Sequence, residues 1–569
     1  MTVTPETRPG PGAPQPEAGR LSERQIAQLR KHGETRPTAA GEVLIREGDR
    51  GYDFFVILSG RVRIVDHQAG VERELAVGVP GEFVAELNLL TGERLFTTVV
   101  VAEPGSVLVV PLDRLQALIG RDQALGTLIL QTALMRRQWV ADSAVGLRII
   151  GSRESAETRR LADFATRNRI PHVWLSSASD PVAQTVLARH DLTWDQTPVV
   201  VMRGGEVHSR PSNAELARAA GVGTQATPGM TYDVAVVGAG PAGLAAAVYG
   251  ASEGLSVALI DALAVGGQIA TTSRIENYLG FPVGITGEEF AERAFVQALR
   301  FGVSIVLPAA ATRLSPAEAG HIVHLDTGDD IEARSVIVAT GVSYRRLEAV
   351  GADRFSGVSV FYSPLAMRNE VAPGEPVFIA GGGNSAGQAA IALDDMGNPV
   401  TIIVRGADLT ATMSHYLVDR IRTRPGIRVL TRSMIRELAG NERLESVSIE
   451  DLTTSARESL PAAALLVMIG GEPRTRWLAD VVDLDKEGYV ITGSALGTEA
   501  RRKRPWIGLD RDPYLLETSV PGVFAAGDVR SGSVKRAASA VGEGSIAIRF
   551  VGEHLGTRSG FSPETVSTT

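Results

Sequence analysis

The chain of 569 residues contains no cysteine. That excludes disulfides, cysteine-ligated zinc, iron–sulfur ligation, a thiol nucleophile and a CxxC redox pair supplied by this chain. Histidine is scarce, nine in all, and without HExxH-like spacing no metal site is expected. No apolar stretch approaches the roughly 18–20 residues of a membrane span, so no membrane partner is expected. The first twenty residues are rich in Pro and Gly and lack the basic start and apolar run of a secretory signal. They read as a disordered tail, and the protein as cytoplasmic. Lys and Arg number 57 against 65 Asp and Glu, a net charge of −8. This argues against a chain-wide nucleic-acid surface.

What is present is 44% apolar and 21% charged, a globular composition. The length suggests about four domains at roughly 150 residues each. Residues 21–35 have helical spacing, and 40–112 read as short strands. Ser59-Gly60 interrupts the apolar runs of Phe54–Val65, a hairpin signal, and Glu103-Pro104-Gly105 divides Phe96–Leu112 into two β-branched runs. Helical segments follow from Leu112 to Val140. The pattern predicts a β-barrel or jelly roll with helical flanks over 21–143. Residues 144–225 read strand–helix–strand–helix–hairpin, a small α/β unit, and 226–230 as a linker. From Thr231 the chain alternates strand, Gly-rich turn and helix twice over, which predicts two doubly wound, Rossmann-like units.

Tyr232–Asp261 runs strand, Gly238-x-Gly240-x-x-Gly243, Ala-rich helix, strand, acid. The first Gly permits the turn, the second lets backbone approach a pyrophosphate, and the third lets helix and strand pack. Pro241 and Ala242 lie within the loop. Asp261, eighteen residues after Gly243, stands where an acid meets ribose hydroxyls. Glu375–Gly406 repeats the design with Gly381-x-Gly383-x-x-Ala386, and Asn384 and Ser385 lie in its turn. Arg405 stands where a guanidinium would meet a 2′-phosphate; the bland alternative is a solvated charge at a strand end.

Three further segments carry a resemblance. Gly266–Pro282 (GGQIATTSRIENYLGFP), Ser335–Val342 (SVIVATGV) and Thr518–Ala547 resemble, in order, the flavin motifs of low-molecular-weight thioredoxin reductases. The resemblance covers about residues 230–557. It implies FAD held by Gly238, Gly240, Pro241, Ala242, Gly243, Asp261, Gly267, Gln268, Asn277, Ala339, Thr340, Gly341, Gly527, Asp528, Val529, Lys535, Arg536 and Ala537. It implies NADPH, with NADH possible, held by Gly381, Gly383, Asn384, Ser385, Ala386 and Arg405. The FAD-binding domain would span 230–345 and 469–557, and the NAD(P)H-binding domain 346–468, with 558–569 as a tail. A homodimer and rotation between the nucleotide domains are also implied. The sequence departs from the family where its CxxC should stand: in Phe361–Glu370 (FYSPLAMRNE), Ser363 and Ala366 replace the two cysteines. A serine is no redox carrier at neutral pH, so flavin-to-dithiol electron flow cannot occur. The plain reading of this segment is a helix start at Pro364, with Tyr362 packed near the flavin. The family's basic cluster beside Arg405 is also reduced, with Val404 before it, Gly406 after it and Thr410 at the later position.

Residues 144–225 resemble a thioredoxin or glutaredoxin-like fold. Ser152-Arg153-Glu154-Ser155 stands in place of Cys-x-x-Cys, and Pro198 is the cis-proline candidate. Ser152 reads otherwise as a helix N-cap. Gly41–Val65 and Pro80–Gly105 resemble a cyclic-nucleotide-binding domain, in which Glu86 fits the ribose role. Ala85 replaces the usual Gly, and Phe96 falls near the Arg position, with Arg94 two residues away. The domain is either nucleotide-binding or repurposed for docking or sensing. No basic recognition helix follows it, so DNA binding is not expected. The basic run Glu499–Tyr514 is a solvated loop, or a docking patch for an acidic ferredoxin or flavodoxin anchored by Trp506 or Tyr514.

Together these readings imply an FAD-dependent NAD(P)H oxidoreductase without a dithiol. It would pass electrons to an external acceptor such as a quinone, oxygen, a small iron–sulfur protein or a partner thiol protein, with regulatory or recruiting N-terminal domains. No acid–base side chain stands out as catalytic. The alternative is a flavin-holding sensor or scaffold with little turnover.

Overall fold

The structure is a computed structural model. It describes residues 19–49, 52–68, 71–84, 95, 97–142, 146–152, 155–176, 178–202, 205–222, 229–272, 274–367, 370–478, 480–497, 506, 509 and 511–556. The chain forms two compact units, the first comprising Met1–Met230 with Ile260–Ala264 and Val296–Ala310, the second the remainder.

The first unit opens with α1 (Glu23–Leu29), β1 (Glu34–Thr38), β2 (Val43–Ile45), β3 (Phe54–Gln68), β4 (Val71–Gly78), β5 (Phe83–Val84), β6 (Thr98–Val110), α2 (Leu112–Arg121) and α3 (Gln123–Asp142). One sheet runs β1-β6-β3-β4, with β2 on β6 and β5 on β3. The hairpin expected at Ser59-Gly60 is absent, and so is the break at Glu103-Pro104-Gly105. Ser59-Gly60 lies inside the continuous β3, and Glu103-Pro104-Gly105 inside the continuous β6. The reason is that the two breaks face each other across the ladder. Register shifts fall at Ile57/Ser59, Ser59/Arg61 and Arg61/Val62, and a Cβ on Gly105 would stand 2.0 Å from the Ser59 carbonyl oxygen. They are opposed bulges, which bend a strand without ending it. Phe54, Val56, Leu108 and Val110 pack on helical residues including Leu29, Leu115 and Ile119. Phe55, Ile57, Val62, Val101 and Val107 fill the other face. Each such fully buried side chain contributes about 1.5–3 kcal/mol.

Then come β7 (Leu147–Ile150), α4 (Ala156–Arg167), β8 (His172–Leu175), α5 (Pro181–Arg189), β9 (Val199–Val201), β10 (Val207–Ser209) and α6 (Asn213–Ala220), with sheet order β10-β9-β7-β8. The Thr197–Pro198 peptide is cis. The cap of α4 is Ser155, which accepts from the Thr158 N–H, and not Ser152. Helix α6 went unread in the sequence, although its Ser212/Glu215 capping box is a start signal.

The second unit contains β11 (Thr231–Val237), α7 (Pro241–Ser252) and β12 (Val257–Ile260). The helix α8 (Gly287–Arg300) and strand β13 (Ser304–Val306) follow in the chain, then β14 (Ala311–Ala317), β15 (Gly320–Leu325), β16 (Asp330–Val338) and β17 (Val342–Tyr344). Next are β18 (Val360–Phe361), α9 (Pro364–Met367), β19 (Val377–Ala380), α10 (Asn384–Asp395), β20 (Val400–Ile403), α11 (His415–Arg422), β21 (Ile427–Leu430), β22 (Ser433–Ala439), β23 (Ser446–Asp451), β24 (Arg457–Pro461), β25 (Ala464–Val467), β26 (Gly471–Pro473), β27 (Val523–Ala525) and α12 (Ala537–His554). Strands β11, β16 and β27 are parallel neighbours. A second sheet, β18-β25-β19-β20-β21, is parallel throughout. Its strands are continuous apolar runs such as Val377–Ala380, as expected when both faces are covered.

Candidate functional site: two glycine cradles

Strand β11 ends at Gly238, whose φ of +111° only glycine adopts readily. A Cβ there would stand 2.3 Å from the Ala339 carbonyl oxygen, so the loop lies against the turn after β16. A Cβ on Gly243 would stand 1.7 Å from the Gly238 carbonyl oxygen, whereas one on Gly240 would meet nothing within 4 Å. Gly240 is the N-cap of α7, with Pro241 in the first turn and no side chain capping the helix. Its N–H groups and dipole therefore face an open place that suits a phosphate.

Gly266, Gly267 and Gly527 close on that loop. A Cβ on Gly267 would lie 3.0 Å from Gly240 Cα, and the Gly266 N–H donates to Ala239 O at 2.8 Å. Gln268 donates through Nε2 to Val342 O, next to Gly341, and Thr340 Oγ1 donates to Arg474 O at 2.9 Å. A Cβ on Gly527 would stand 2.9 Å from Ala242 Cβ. The Gly527 N–H donates to Glu543 at 2.7 Å, and Arg530 binds the same carboxylate with Nε at 3.1 Å and Nη2 at 2.5 Å. Val529 is fully buried. Lys535 Nζ donates to Asp528 O at 2.5 Å and to Ser533 Oγ at 2.8 Å, and lies 4.3 Å from the Tyr489 ring centroid. Burial pushes the Asp528 carboxyl up against the pull of Lys535. Burial likewise pushes the Lys535 ammonium down. Arg536 is the N-cap of α12, and Ala537 its first residue, with no side-chain cap. Asn277 is exposed on its loop. Asp261, at the end of β12, accepts from the Leu263 and Ala264 N–H groups at 2.9 and 3.1 Å.

The second cradle repeats the plan. Gly381 has φ +131°, and a Cβ there would stand 2.2 Å from the Met468 carbonyl oxygen. Gly383, the N-cap of α10, again has nothing within 4 Å of a Cβ. Ala386 is buried and Ser385 exposed. Asn384 Oδ1 accepts from the Ser414 N–H at 2.7 Å, and Thr412 Oγ1 donates to Gly382 O at 2.7 Å. Arg405 is exposed just beyond β20. Hydrogen bonds from Thr410 hold the nearby Asp408 carboxyl below its usual range.

Ser363 stands between Tyr362, which follows β18, and α9, which begins at Pro364 as expected; Ala366 lies within that helix. The Ser363 side chain is buried at 7% exposure, and its hydroxyl has no hydrogen-bond partner among the described residues. The Tyr362 hydroxyl accepts from the Leu347 N–H at 3.1 Å. Trp506 is no exposed anchor: it is buried and donates through Nε1 to Ser519 O at 2.7 Å, so the indole that looked free is spent on a backbone partner. Tyr514 stacks on Phe550 at 5.1 Å beneath Arg511. Glu86, Ala85, Arg94, Phe96, both tails and the basic stretch 499–505 lie outside the described residues.

Sequence reasoning missed the Arg530–Glu543 pair, Tyr489 beneath Lys535 and an ion pair of Glu276 with Arg420 at 2.6 Å. Glu276 sits inside a motif already singled out, but its partner is 144 residues away and no periodicity announces it.

A model of the pyridine nucleotide-disulphide oxidoreductase family matches residues 232–544, and one of the cyclic nucleotide-binding domain matches 35–122. A "34.2 kDa protein in rubredoxin operon" of Clostridium pasteurianum is 30% identical over 325 residues, 57% of this chain and 97% of that protein. The bifunctional thioredoxin reductase/thioredoxin of Mycobacterium leprae is 30% identical over 343 residues, 58% of this chain and 69% of that one. A component of the alkyl hydroperoxide reductase of Pseudomonas putida is 33% identical over 327 residues, 57% of this chain and 58% of its own; the match thus spans just over half of that relative. Among solved structures, T. acidophilum thioredoxin reductase aligns with TM-score 0.51 and 30% identity, covering 58% of this chain and 99% of that one.

Proposed function

The chain belongs to the pyridine nucleotide-disulphide oxidoreductase family, and from that premise we propose that it is a flavoenzyme that takes electrons from NAD(P)H and gives them to an external acceptor. Thioredoxin reductase-like members of the family bind FAD and NADPH. The observation that carries the proposal is the pair of cradles. At Gly240 and Gly383 the helix N-terminus is open, while the loop-opening glycines Gly238 and Gly381 are closed in by backbone at 2.3 and 2.2 Å. The residues present fit two dinucleotides.

Gly240, with the α7 N-terminus behind it, would hold the FAD pyrophosphate, and Asp261 the adenosine ribose. Gly527 and Asp528 would meet the ribityl region, Val529 and Gln268 the ring system, and the uncapped α12 N-terminus its electron-rich edge. Gly383 and the α10 N-terminus would hold the nicotinamide nucleotide, with Arg405 beside its ribose. When bound, FAD accepts a hydride from reduced nicotinamide and passes the electron pair onward. Ser363 and Ala366 offer no internal acceptor, so the onward step needs another molecule. The rubredoxin-operon relative makes a small iron–sulfur protein the first acceptor to try. The N-terminal cyclic nucleotide-binding domain would regulate or recruit.

The test is anaerobic stopped-flow absorbance of the purified yellow protein with NADPH and with NADH. Fast bleaching of the flavin band by either donor is expected. No bleaching by either, with FAD bound, overturns the oxidoreductase reading in favour of a flavin-holding sensor.

A further inference from the structure

Glu276 and Arg420 belong to different halves of the second unit. Glu276 lies on the loop between Gln268 and α8, beside Asn277. Arg420 lies on the last turn of α11, in the half that carries the second cradle. Arg420 Nη1 stands 2.6 Å from Glu276 Oε2, and the two side chains are 39% and 30% exposed. The loop under Glu276 is braced. Ile275 and Ile285 exchange backbone hydrogen bonds at 2.7 and 3.0 Å. Arg274 donates through its guanidinium to Val283 O and holds Nε 4.0 Å from Glu276 Oε1.

The other side of the contact is tied to the second cradle. Tyr416, one turn before Arg420 on α11, is half-buried and packs on the same core as Ala386, Ala389 and Ala390 of α10. Asn384 Oδ1 accepts from the N–H of Ser414, the N-cap of α11. The helix ends flanking Gly383 are therefore joined to the face that meets Glu276. The loop bearing Glu276 also bears Gln268 and Asn277.

We propose that Glu276 and Arg420 form a clamp that holds the second cradle in one orientation, its nucleotide-bearing side turned toward the Gln268–Asn277 loop. The flavin assignment of that loop rests on the function proposed above; the contact itself does not. A chain with Ser363 and Ala366 at the dithiol positions has no internal acceptor to present by turning. A fixed donor-facing orientation then loses nothing. Glu276 and Arg420 act here as positioning residues.

The test uses the full-length holoprotein with spin labels at Glu318→Cys and Glu442→Cys, exposed turn positions in the two halves. No native thiol competes. Double electron–electron resonance should give one narrow distance. Glu276→Arg and Arg420→Glu each place like charges face to face. Each should raise the ratio of a second distance to the first by about tenfold or more. The double swap Glu276→Arg/Arg420→Glu should restore the narrow distance. An unchanged distance in both single variants, a swap that restores nothing, or a broad distance in the starting protein overturns the clamp. Flavin bleaching by NADPH is read on the same samples. A narrow distance that responds as described without bleaching supports the clamp and overturns the donor reading instead.

Discussion

At the first cradle the third motif position is Gly243, where a Cβ would stand 1.7 Å from the Gly238 carbonyl oxygen. At the second it is Ala386, which carries its Cβ fully buried. The tight place there has moved one residue on, to Gly387, where a Cβ would meet Met413 Sδ at 2.8 Å. Met413 belongs to the segment that leads into α11, whereas at the first cradle the crowding atom is the loop's own backbone. The two cradles share what a phosphate needs, an open glycine at a helix N-terminus. They differ in how helix and loop are packed, which can be negotiated residue by residue.

The widest gap between the cradles should appear in Gly243→Ala. Its Cβ meets rigid backbone, so a loss of about 3 kcal/mol or more, with loss of bound flavin, is expected. Ala386→Gly should cost only about 1 kcal/mol. Thermal melts and flavin absorbance decide, and equal losses would break the comparison. Next is Gly383→Asp. The side chain has room, so folding and flavin content should be unchanged, while the carboxylate should weaken NAD(P)H binding on the order of 100-fold. Unchanged nucleotide titrations would remove the second cradle from its role. Smaller is Arg405→Gln, which should reduce any preference for NADPH over NADH by about tenfold in kcat/KM, since one charge-assisted contact is lost.

The smallest effect concerns acid. His321 and His554, on the floor of the first half, are both pushed below the ordinary histidine value by burial. An unfolded histidine takes its proton near about pH 6.5, while these two resist it. Their stabilising contribution is therefore full above that pH and falls as the pH drops through it. Between pH 8 and 5.5 the melting temperature of His554→Gln should decline less than that of the parent. Parallel declines would show that His554 is not the group responsible.

Much of this was legible in sequence. The two cradles are local: strand, glycines and helix are contiguous, and each glycine's reason lies within a few residues or one strand away. Pro198 and the start of α9 at Pro364 were readable for the same reason. What escaped depends on distant partners. Gly60 looked like a turn because the sequence does not reveal Gly105 opposite it. Trp506 looked like a surface anchor because no pattern announces its partner, Ser519 O. Glu276 looked like a cofactor loop residue because Arg420 is in another half of the unit.

The opposed bulges of β3 and β6 give the first domain a property of another kind. Along β3 the residues facing the barrel are Phe55 and Ile57 before the bulge, then Val62 and Ile64 after it. The inward positions pass from odd to even across Ser59-Gly60. The strand is thus read in two frames, and a single residue joins them. Deleting Gly60 would bring Val62 and Ile64 into step with Phe55 and Ile57, so that one plain alternation would keep all four inward and Arg61 and Arg63 outward. Ser59-Gly60 therefore supplies the bend opposite Gly105, and not the order of apolar residues along the strand.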